Sequence, residues 1–308
     1  MILILSEEDD SSTTDVLQWL NTLNKKWFRI NETDKIELEF IGDDIVFKMN
    51  SSSFLLSEIK SFWYRRGYFN VTGFEKTHIE QIDMLRNEEI RTFIQFLHYR
   101  LYKIKHLNSF KNSSVNKLII GDIARKFKLK TPNDFIISNK TYLSKILDNS
   151  RERYITKVIS GNCMQDFDDF TIINFTSLID LKKVNSENFF PSLAQNYIEK
   201  KYELRIFYLE RNFYSMAIFS QNDDQTNIDF RNYNKTRPNR CVPFKLPNEV
   251  EEKITALMEK IDLNCGSIDM IVTLENEYVF LEVNPVGQFG MVSFPCNYNL
   301  EKKIAEYL

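Results

Sequence analysis

Glycine is scarce in this chain, with eight residues in 308. A glycine-rich phosphate loop of the Walker type is absent, so any bound nucleotide must be held by lysines, arginines and strands. Histidine is scarcer still, at three residues. His78, His98 and His106 have no matched spacing for a metal, and His98, among Phe93, Leu97 and Leu101, reads as a packed helix histidine. The four cysteines, Cys163, Cys241, Cys265 and Cys296, lie far apart without a CxxC pair, which argues against a zinc ribbon. A chain of this size has no need of disulfide staples. No run approaches the roughly 18 apolar residues of a membrane span. The start, MILILSEEDDSS, lacks the basic residues and the apolar length of a signal peptide. The expectation is a cytoplasmic, reduced protein with no membrane partner. A net charge of −3 gives no reason to expect a nucleic-acid partner.

What is present is an ordinary globular composition, 43% hydrophobic and 27% charged, enriched in aromatics with 25 Phe and 14 Tyr. The length suits two or three domains sharing a core. Met1–Leu5 reads as a buried strand and Asp15–Leu23 as a helix, with strand-like stretches at Phe28–Ile30, Ile36–Phe40 and Ile45–Lys48. That order describes a small α/β unit. Ser51–Ser53 reads as a loop, Ser61–Phe69 as an aromatic stretch containing Arg65 and Arg66, and Ile79–His106 as one or two helices. The arginine pair either meets an acidic substrate or snorkels from an aromatic strand. A polar boundary falls at Asn108–Val115. Beyond it, Lys117–Phe127 reads as a helix and Tyr154–Ile159 as a strand carrying Lys157. An ammonium in that apolar company is costly to bury unpaired, and either a phosphate or an edge position would relieve it. Tyr202–Leu209 alternates as a strand and puts Glu203 and Arg205 on one face. Three prolines mark the basic stretch Ile228–Pro247 as a loop, and Glu249–Ile261 is an amphipathic helix.

The stretch Gly266–Phe289, GSIDMIVTLENEYVFLEVNPVGQF, organises the rest. Its apolar runs Ser267–Leu274 and Tyr278–Val283 flank a short polar turn, a hairpin signal. Glu282 and Asn284 share a face, and pairing across the turn can bring Asp269 level with Glu282. Two carboxylates and an amide carbonyl form a hard, all-oxygen set that suits Mg²⁺ better than Zn²⁺. The spacing fits equally a hairpin with ordinary solvated acids.

The string itself is more specific. D…LEVNP-x-GQ resembles the terminal signature of ATP-grasp ligases, and FLEVNPVGQF resembles the branch that macrocyclises ribosomally made graspetides, the microviridin-type and grasp-with-spasm maturases. NKLIIGDIARKFKLKTP, QNYIEKKYELR and DFR, in order, extend the resemblance from about Asn116 to the C-terminus. It implies an α/β (α+β) chain with the ATP-grasp fold, its central and C-terminal domains clasping Mg·ATP between two antiparallel sheets. The divisions expected are 1–114, a domain preceding the grasp; 115–190, a central subdomain; and 191–308, a C-terminal subdomain. Asp269, Glu282 and Asn284 match the metal ligands. Lys157 matches the strand lysine on ATP phosphate, Gln195, Asn196, Tyr197 and Ile198 the linker at adenine, and Glu203 the acid near ribose. Lys117 sits at a further match. Arg205 matches the arginine near the phosphates or the acyl phosphate, and Arg231 the arginine facing the reacting phosphate. Asn196 stands where the family has Glu, which leaves a backbone role intact and questions a side-chain contact. The stretch Asp166–Leu181, with the acids Asp166, Asp168 and Asp169 ahead of TIINFTSLI, falls, by position alone, where the similar ligases have a hairpin and helix that bind a leader segment.

The implied chemistry is carboxylate activation with ATP and Mg²⁺. A side-chain carboxylate of a precursor peptide, leader plus core, is phosphorylated, and a Thr or Ser hydroxyl or a Lys amine attacks it to give an ω-ester or ω-amide. No protein nucleophile is needed, which fits the lack of a Ser–His or Cys–His constellation. The resemblance also allows a homodimer. Two other readings stay open: an ATP-grasp ligase adding glutamate or another amino acid to a different acceptor, and a peptide-binding module without catalysis.

Overall fold

The structure is a computed structural model that describes residues 1–50, 52–73, 77–148, 152–160, 164–221, 228–229, 232, 236 and 238–308. The chain divides into two compact units, one of residues 1–114, 263–265 and 288–308, the other of 115–262 and 266–287. No helix among the described residues is long and apolar enough to cross a membrane.

The first unit begins β1 (Ile2–Ser6), α1 (Ser11–Thr22), β2 (Trp27–Asn31), β3 (Lys35–Ile41), β4 (Asp44–Met49), β5 (Ser52–Leu55), β6 (Ser61–Tyr64), β7 (Asn70–Val71), α2 (Glu80–Tyr102) and β8 (Lys105–Leu107). Strands β2-β1-β6-β8 form a parallel sheet, and β5-β4-β3-β7 a second sheet. Apolar faces of both meet around Leu3, Leu5, Ile30, Phe47, Phe62 and Leu97. Two expectations are corrected here. Ser52 and Ser53 belong to strand β5, held by pairing with Met49 and Lys48 despite their low strand propensity. The end of the expected helical stretch is strand β8, whose sheet partner Ser61–Trp63 overrides its local pattern.

The arginine pair is largely structural. Arg65 is buried, donates from Nε to Asp10 at 2.8 Å and lies over the Phe289 ring at 5.3 Å. Asp10 is also the N-cap of α1, accepting from the Thr13 backbone, so one carboxylate starts the helix and compensates the guanidinium. Arg66 is half-buried, 3.7 Å from Glu7 and 3.8 Å from Asp10.

His98 sits between Phe110, stacked at 4.6 Å, and Phe69, at 5.0 Å, and neither ring nitrogen has a hydrogen-bond partner among the described residues. Burial pushes its imidazole down from 6.5 to about 4. The unfolded chain therefore binds the proton first, so this contribution to stability is complete above the unfolded value and is lost as pH falls towards the folded one. The full loss is on the order of 3 kcal/mol. His98→Phe should flatten that dependence in urea-denaturation midpoints taken across the window. An unchanged slope would put the titration elsewhere.

The second unit runs α3 (Lys117–Lys126), β9 (Asp134–Asn139), α4 (Lys140–Asp148), β10 (Tyr154–Thr156), β11 (Met164–Asp166), β12 (Thr171–Ile173), β13 (Ser177–Leu178), β14 (Asn188–Asn196), β15 (Lys200–Leu209), β16 (Asn212–Phe219), β17 (Arg240–Phe244), α5 (Asn248–Lys260), β18 (Cys265–Thr273) and β19 (Tyr278–Asn284). Strands β13-β10-β14-β9 form an antiparallel sheet, and β17-β16-β15-β18-β19 a five-stranded one. The expected loop at 228–247 holds strand β17, with Pro243 opposite Met216. Proline is tolerated there because β17 is an edge strand. The expected strand Tyr154–Ile159 ends at Thr156, so Lys157 follows the strand instead of lying on it.

Residues 288–308 return to the first unit as α6 (Gly290–Cys296) and α7 (Leu300–Tyr307). Helix α7 packs on α1, and Lys25 donates to the Ala305 and Glu306 carbonyls at 2.9 Å each, completing the helix end. Ser61 donates to the Leu308 carbonyl at 2.7 Å. These contacts draw the tail of the expected 191–308 segment into the unit that opens the chain.

Candidate functional site

The hairpin β18–β19 sets Asp269 directly opposite Glu282 and Ser267 opposite Asn284. A β-bulge makes that alignment. From Val272↔Tyr278 to Met270↔Phe280 the ladder is regular, and continuing it would set Asp269 against Leu281; the register shifts there by one. A one-residue shift changes which face a side chain occupies, so the bulge moves Glu282 and Asn284 onto the face of Asp269. The alternate residues Ile268, Met270, Phe280 and Val283 are buried and anchor the hairpin.

Each carboxylate of the pair holds a cation. Arg205 on β15 donates from Nη1 to Asp269 Oδ2 at 2.5 Å, with both side chains buried. Lys117, at the start of α3, reaches Glu282 Oε2 at 2.7 Å. Helix α3 is placed for this by packing on β19, where the Phe280 amide donates to the Lys130 carbonyl at 2.8 Å. The Asn116 side chain caps α3, accepting from the Leu118 and Ile119 amides, and so fixes where Lys117 emerges. Lys117 is thus paired with the carboxylate that lies opposite Asp269.

Glu203 is buried two residues before Arg205. Lys200 Nζ and Ser220 Oγ both donate to its Oε1, the latter at 2.9 Å. Burial pushes the Glu203 carboxyl up, the Lys200 charge and the two hydrogen bonds pull it back, and the Asp269 charge adds to the rise. A raised carboxyl favours the folded state below its ordinary value, and that contribution fades as pH rises through the folded value. Lys200→Met leaves a buried carboxylate without its cation, at a cost of about 3 kcal/mol in urea denaturation. Adding Glu203→Gln should recover most of that cost. A double variant as unstable as the single would show that Lys200 acts by some other contact.

The expected adenine linker closes β14 and enters β15. Gln195 donates from Nε2 to Asp134 Oδ1 at 2.6 Å. The Asn196 side-chain oxygen accepts from the Asn133 amide at 2.8 Å, so this side chain braces the neighbouring loop. The Tyr197 amide donates to the Arg153 carbonyl at 2.7 Å, and the Arg153 guanidinium lies over the Tyr197 ring at 4.3 Å. The backbone of half-buried Ile198 has no described partner. Lys157 lines a cavity of about 490 Å³ with Ser160, Asn174, Ser177, Phe190 and Ser192. Arg231 lies outside the described residues. Asp229, two positions earlier, is buried and accepts from the Thr176 amide at 3.1 Å.

The fold thus gathers Asp269, Glu282, Asn284, Arg205, Glu203 and Lys117 on one face of the five-stranded sheet and at its margin. Lys200, Ser220 and Ser267 are members that sequence reading missed. Among the described residues no group of three or more His, Cys, Asp and Glu could hold a metal; Asn284 is what completes the candidate set. Two carboxylates and an amide oxygen on a rigid hairpin are the donors Mg²⁺ takes, and the residues fit it.

No family model matches the sequence, and no curated protein sequence matches it significantly. Solved structures do match. The macrocyclase MdnC of Microcystis aeruginosa MRC, solved with the precursor peptide MdnA, is 24% identical, with 100% of this chain and 99% of that chain covered and a TM-score of 0.78. The RiPP-associated ATP-grasp ligase of Chryseobacterium gregarium, solved with ADP and a leader and core peptide, is 24% identical over 99% and 94% of the two chains, with a TM-score of 0.80. The macrocyclase MdnB of the same Microcystis strain is 21% identical over 100% and 98%, at 0.74. The chain therefore has the ATP-grasp fold.

Proposed function

We propose that this protein is an ATP-dependent peptide macrocyclase of the graspetide type. The observation that carries the reading is the Asp269–Glu282 pair, with Asn284 on the same face and Arg205 and Lys117 against it, on an ATP-grasp fold. The likeness to ligases solved with ADP and precursor peptides supports it. In this reading the substrate is a ribosomal precursor, leader plus core, and the protein works in the cytoplasm. The division at 190–191 separates the two halves of the nucleotide clasp.

The γ-phosphoryl of ATP passes to an Asp or Glu side-chain carboxylate of the peptide, leaving ADP. A Thr or Ser hydroxyl, or a Lys amine, then attacks the acyl phosphate, loses its proton and expels inorganic phosphate. Each ring removes one water from the peptide. Asp269, Glu282 and Asn284 would hold Mg²⁺, which when bound neutralises charge on the phosphates. Arg205, Lys157 and Arg231 supply fixed positive charge to the same groups. Glu203, held by Lys200 and Ser220, takes the ribose. Backbone groups of the 195–198 linker, Ile198 foremost, take the adenine. Catalysis is then positioning and electrostatics, with no covalent protein intermediate.

The test is intact-mass analysis of a precursor peptide encoded beside this gene, rich in Thr, Ser, Asp and Glu, incubated with the protein, Mg²⁺ and ATP. Mass losses in whole multiples of one water, with matching ADP, are expected. ADP without a mass change would move the acceptor to another molecule, as in an amino-acid-adding ligase. Neither product would leave a peptide-binding module.

A further inference from the structure

A buried hydroxyl stands beside the candidate metal set. Ser267 is 0% exposed, and its Oγ has no hydrogen-bond partner among the described residues. On β18 it lies two residues before Asp269, so the two side chains share a face. Across the hairpin it lies directly opposite Asn284. Side chains paired in this way have Cβ atoms about 5 Å apart, within reach of a hydrogen bond between serine and asparagine. The turn that begins at Asn284 closes over the hydroxyl. The Gly287 amide donates to the Asn284 carbonyl at 3.2 Å, and a Cβ on Gly287 would lie 2.3 Å from Ser267 Oγ. A hydroxyl shut away from water without a partner costs stability. Buried polar atoms in proteins are paired in the great majority, so an orphan beside a candidate site calls for a role.

The neighbour that needs it is Asn284. A carboxylate offers oxygen at both ends, whereas a carboxamide offers an oxygen at one end and two N–H donors at the other. Asp269 and Glu282 therefore present oxygen whichever way they turn, and Asn284 does so in only one of two orientations. With the wrong end turned in, its amide hydrogens would oppose a divalent cation. Metal ligands are oriented by the groups that hold their far atoms, and here the far atom is a donor in need of an acceptor. Arg205 and Lys117, which hold Asp269 and Glu282, are donors only and cannot fill that place. A serine hydroxyl can. We infer that Ser267 is a positioning residue: its Oγ accepts from Asn284 Nδ2 and turns the Oδ1 of that carboxamide towards Mg²⁺. The inference rests on the metal role proposed for Asp269, Glu282 and Asn284, and adds the group that decides which end of Asn284 the metal meets. Gly287 is its condition, because a Cβ there would displace the hydroxyl.

Mn²⁺ binding to the full chain in the presence of ADP, followed by water-proton relaxation, tests it. Ser267→Ala should raise the Mn²⁺ dissociation constant about tenfold or more, the range for removing a partner of a metal ligand. In EDTA the same variant should melt within about 4 °C of the parent or above it, since it sheds a buried hydroxyl that costs stability. Asn284→Asp has oxygen at both ends and no orientation to be set. In that background Ser267→Ala should change the dissociation constant by less than about threefold. A smaller loss of affinity than expected in Ser267→Ala alone overturns the inference and leaves the metal set standing. A comparable loss in both backgrounds also overturns it, because Ser267 would then act through something other than the carboxamide. A melting point in EDTA lowered beyond that margin would make the hydroxyl a structural group and overturn it as well. A parent that gives no relaxation enhancement over Mn·ADP alone overturns the metal reading, and this inference with it.

Discussion

Asp269→Asn is expected to lower peptide conversion and ADP release by about three orders of magnitude, the scale of losing a preorganised charge at a phosphoryl-transfer site. The substitution keeps the side chain's volume and one carbonyl oxygen but removes the charge that a divalent cation needs. It also strips Arg205 of its counter-ion: the guanidinium lies 2.5 Å from Oδ2, and both groups are buried. Breaking such a pair costs about 3 kcal/mol of stability, so lost turnover alone could be read as lost folding. The double variant Arg205→Met/Asp269→Asn separates the two effects. It carries no unpaired buried charge, so urea-denaturation midpoints should return towards the parent value while turnover stays low. Glu282→Gln should behave similarly but with a smaller stability cost, because Lys117 is less buried than Arg205 and water can take over part of its solvation. An Asp269→Asn chain that keeps turnover within about tenfold of the parent would place the charge chemistry on other residues.

The hairpin was legible because its apolar runs and turn are local signals. The level of Asp269 with Glu282 was legible only as an option, since counting back from the turn does not reveal the shift at Leu281. A bulge is set by how the strand packs, and Leu281 looks like any other apolar strand residue in a sequence. The buried cation beside Glu203 was hidden for a related reason. On a regular strand Lys201 shares the face of Glu203 and Arg205, whereas Lys200 points away. The chain has only just entered β15 at Lys200, and there the side chain reaches Glu203 while Lys201 turns out to Asn276 at 2.9 Å. Strand β17 was masked by its prolines, which signal a loop unless the strand is known to lie at an edge. Strand β8 is three residues long and owes its existence to β6. For β8 and β17 the deciding contact is distant in sequence, and local pattern has no access to it.

Gly287→Ala should be the most damaging single methyl addition near the site. A Cβ there would lie 2.3 Å from Ser267 Oγ, 2.6 Å from Ser267 Cβ and 2.6 Å from the Ser267 backbone nitrogen. The requirement for glycine is therefore close approach of two backbones, not an unusual dihedral. A flexible side chain could rotate away, but the backbone nitrogen belongs to β18 and cannot move unless the strand moves. Ser267 is paired with Asn284, and the Gly287 amide donates to the Asn284 carbonyl at 3.2 Å, closing the turn after β19. Relief must come from displacing residues 284–287, which carries Asn284 away from Asp269 and Glu282. The expected cost is about 3 kcal/mol, at the upper end for overpacking, together with a loss of Mg²⁺-dependent ADP release. Ser267→Gly removes both side-chain contacts but leaves the nitrogen at 2.6 Å, so Ser267→Gly/Gly287→Ala should stay destabilised in thermal melts. Full rescue by that pair would mean that the serine side chain alone was the obstacle. A Gly287→Ala chain melting within about 2 °C of the parent would mean that the turn yields without the strand. Asn284 would then owe its position to something other than the glycine that follows it.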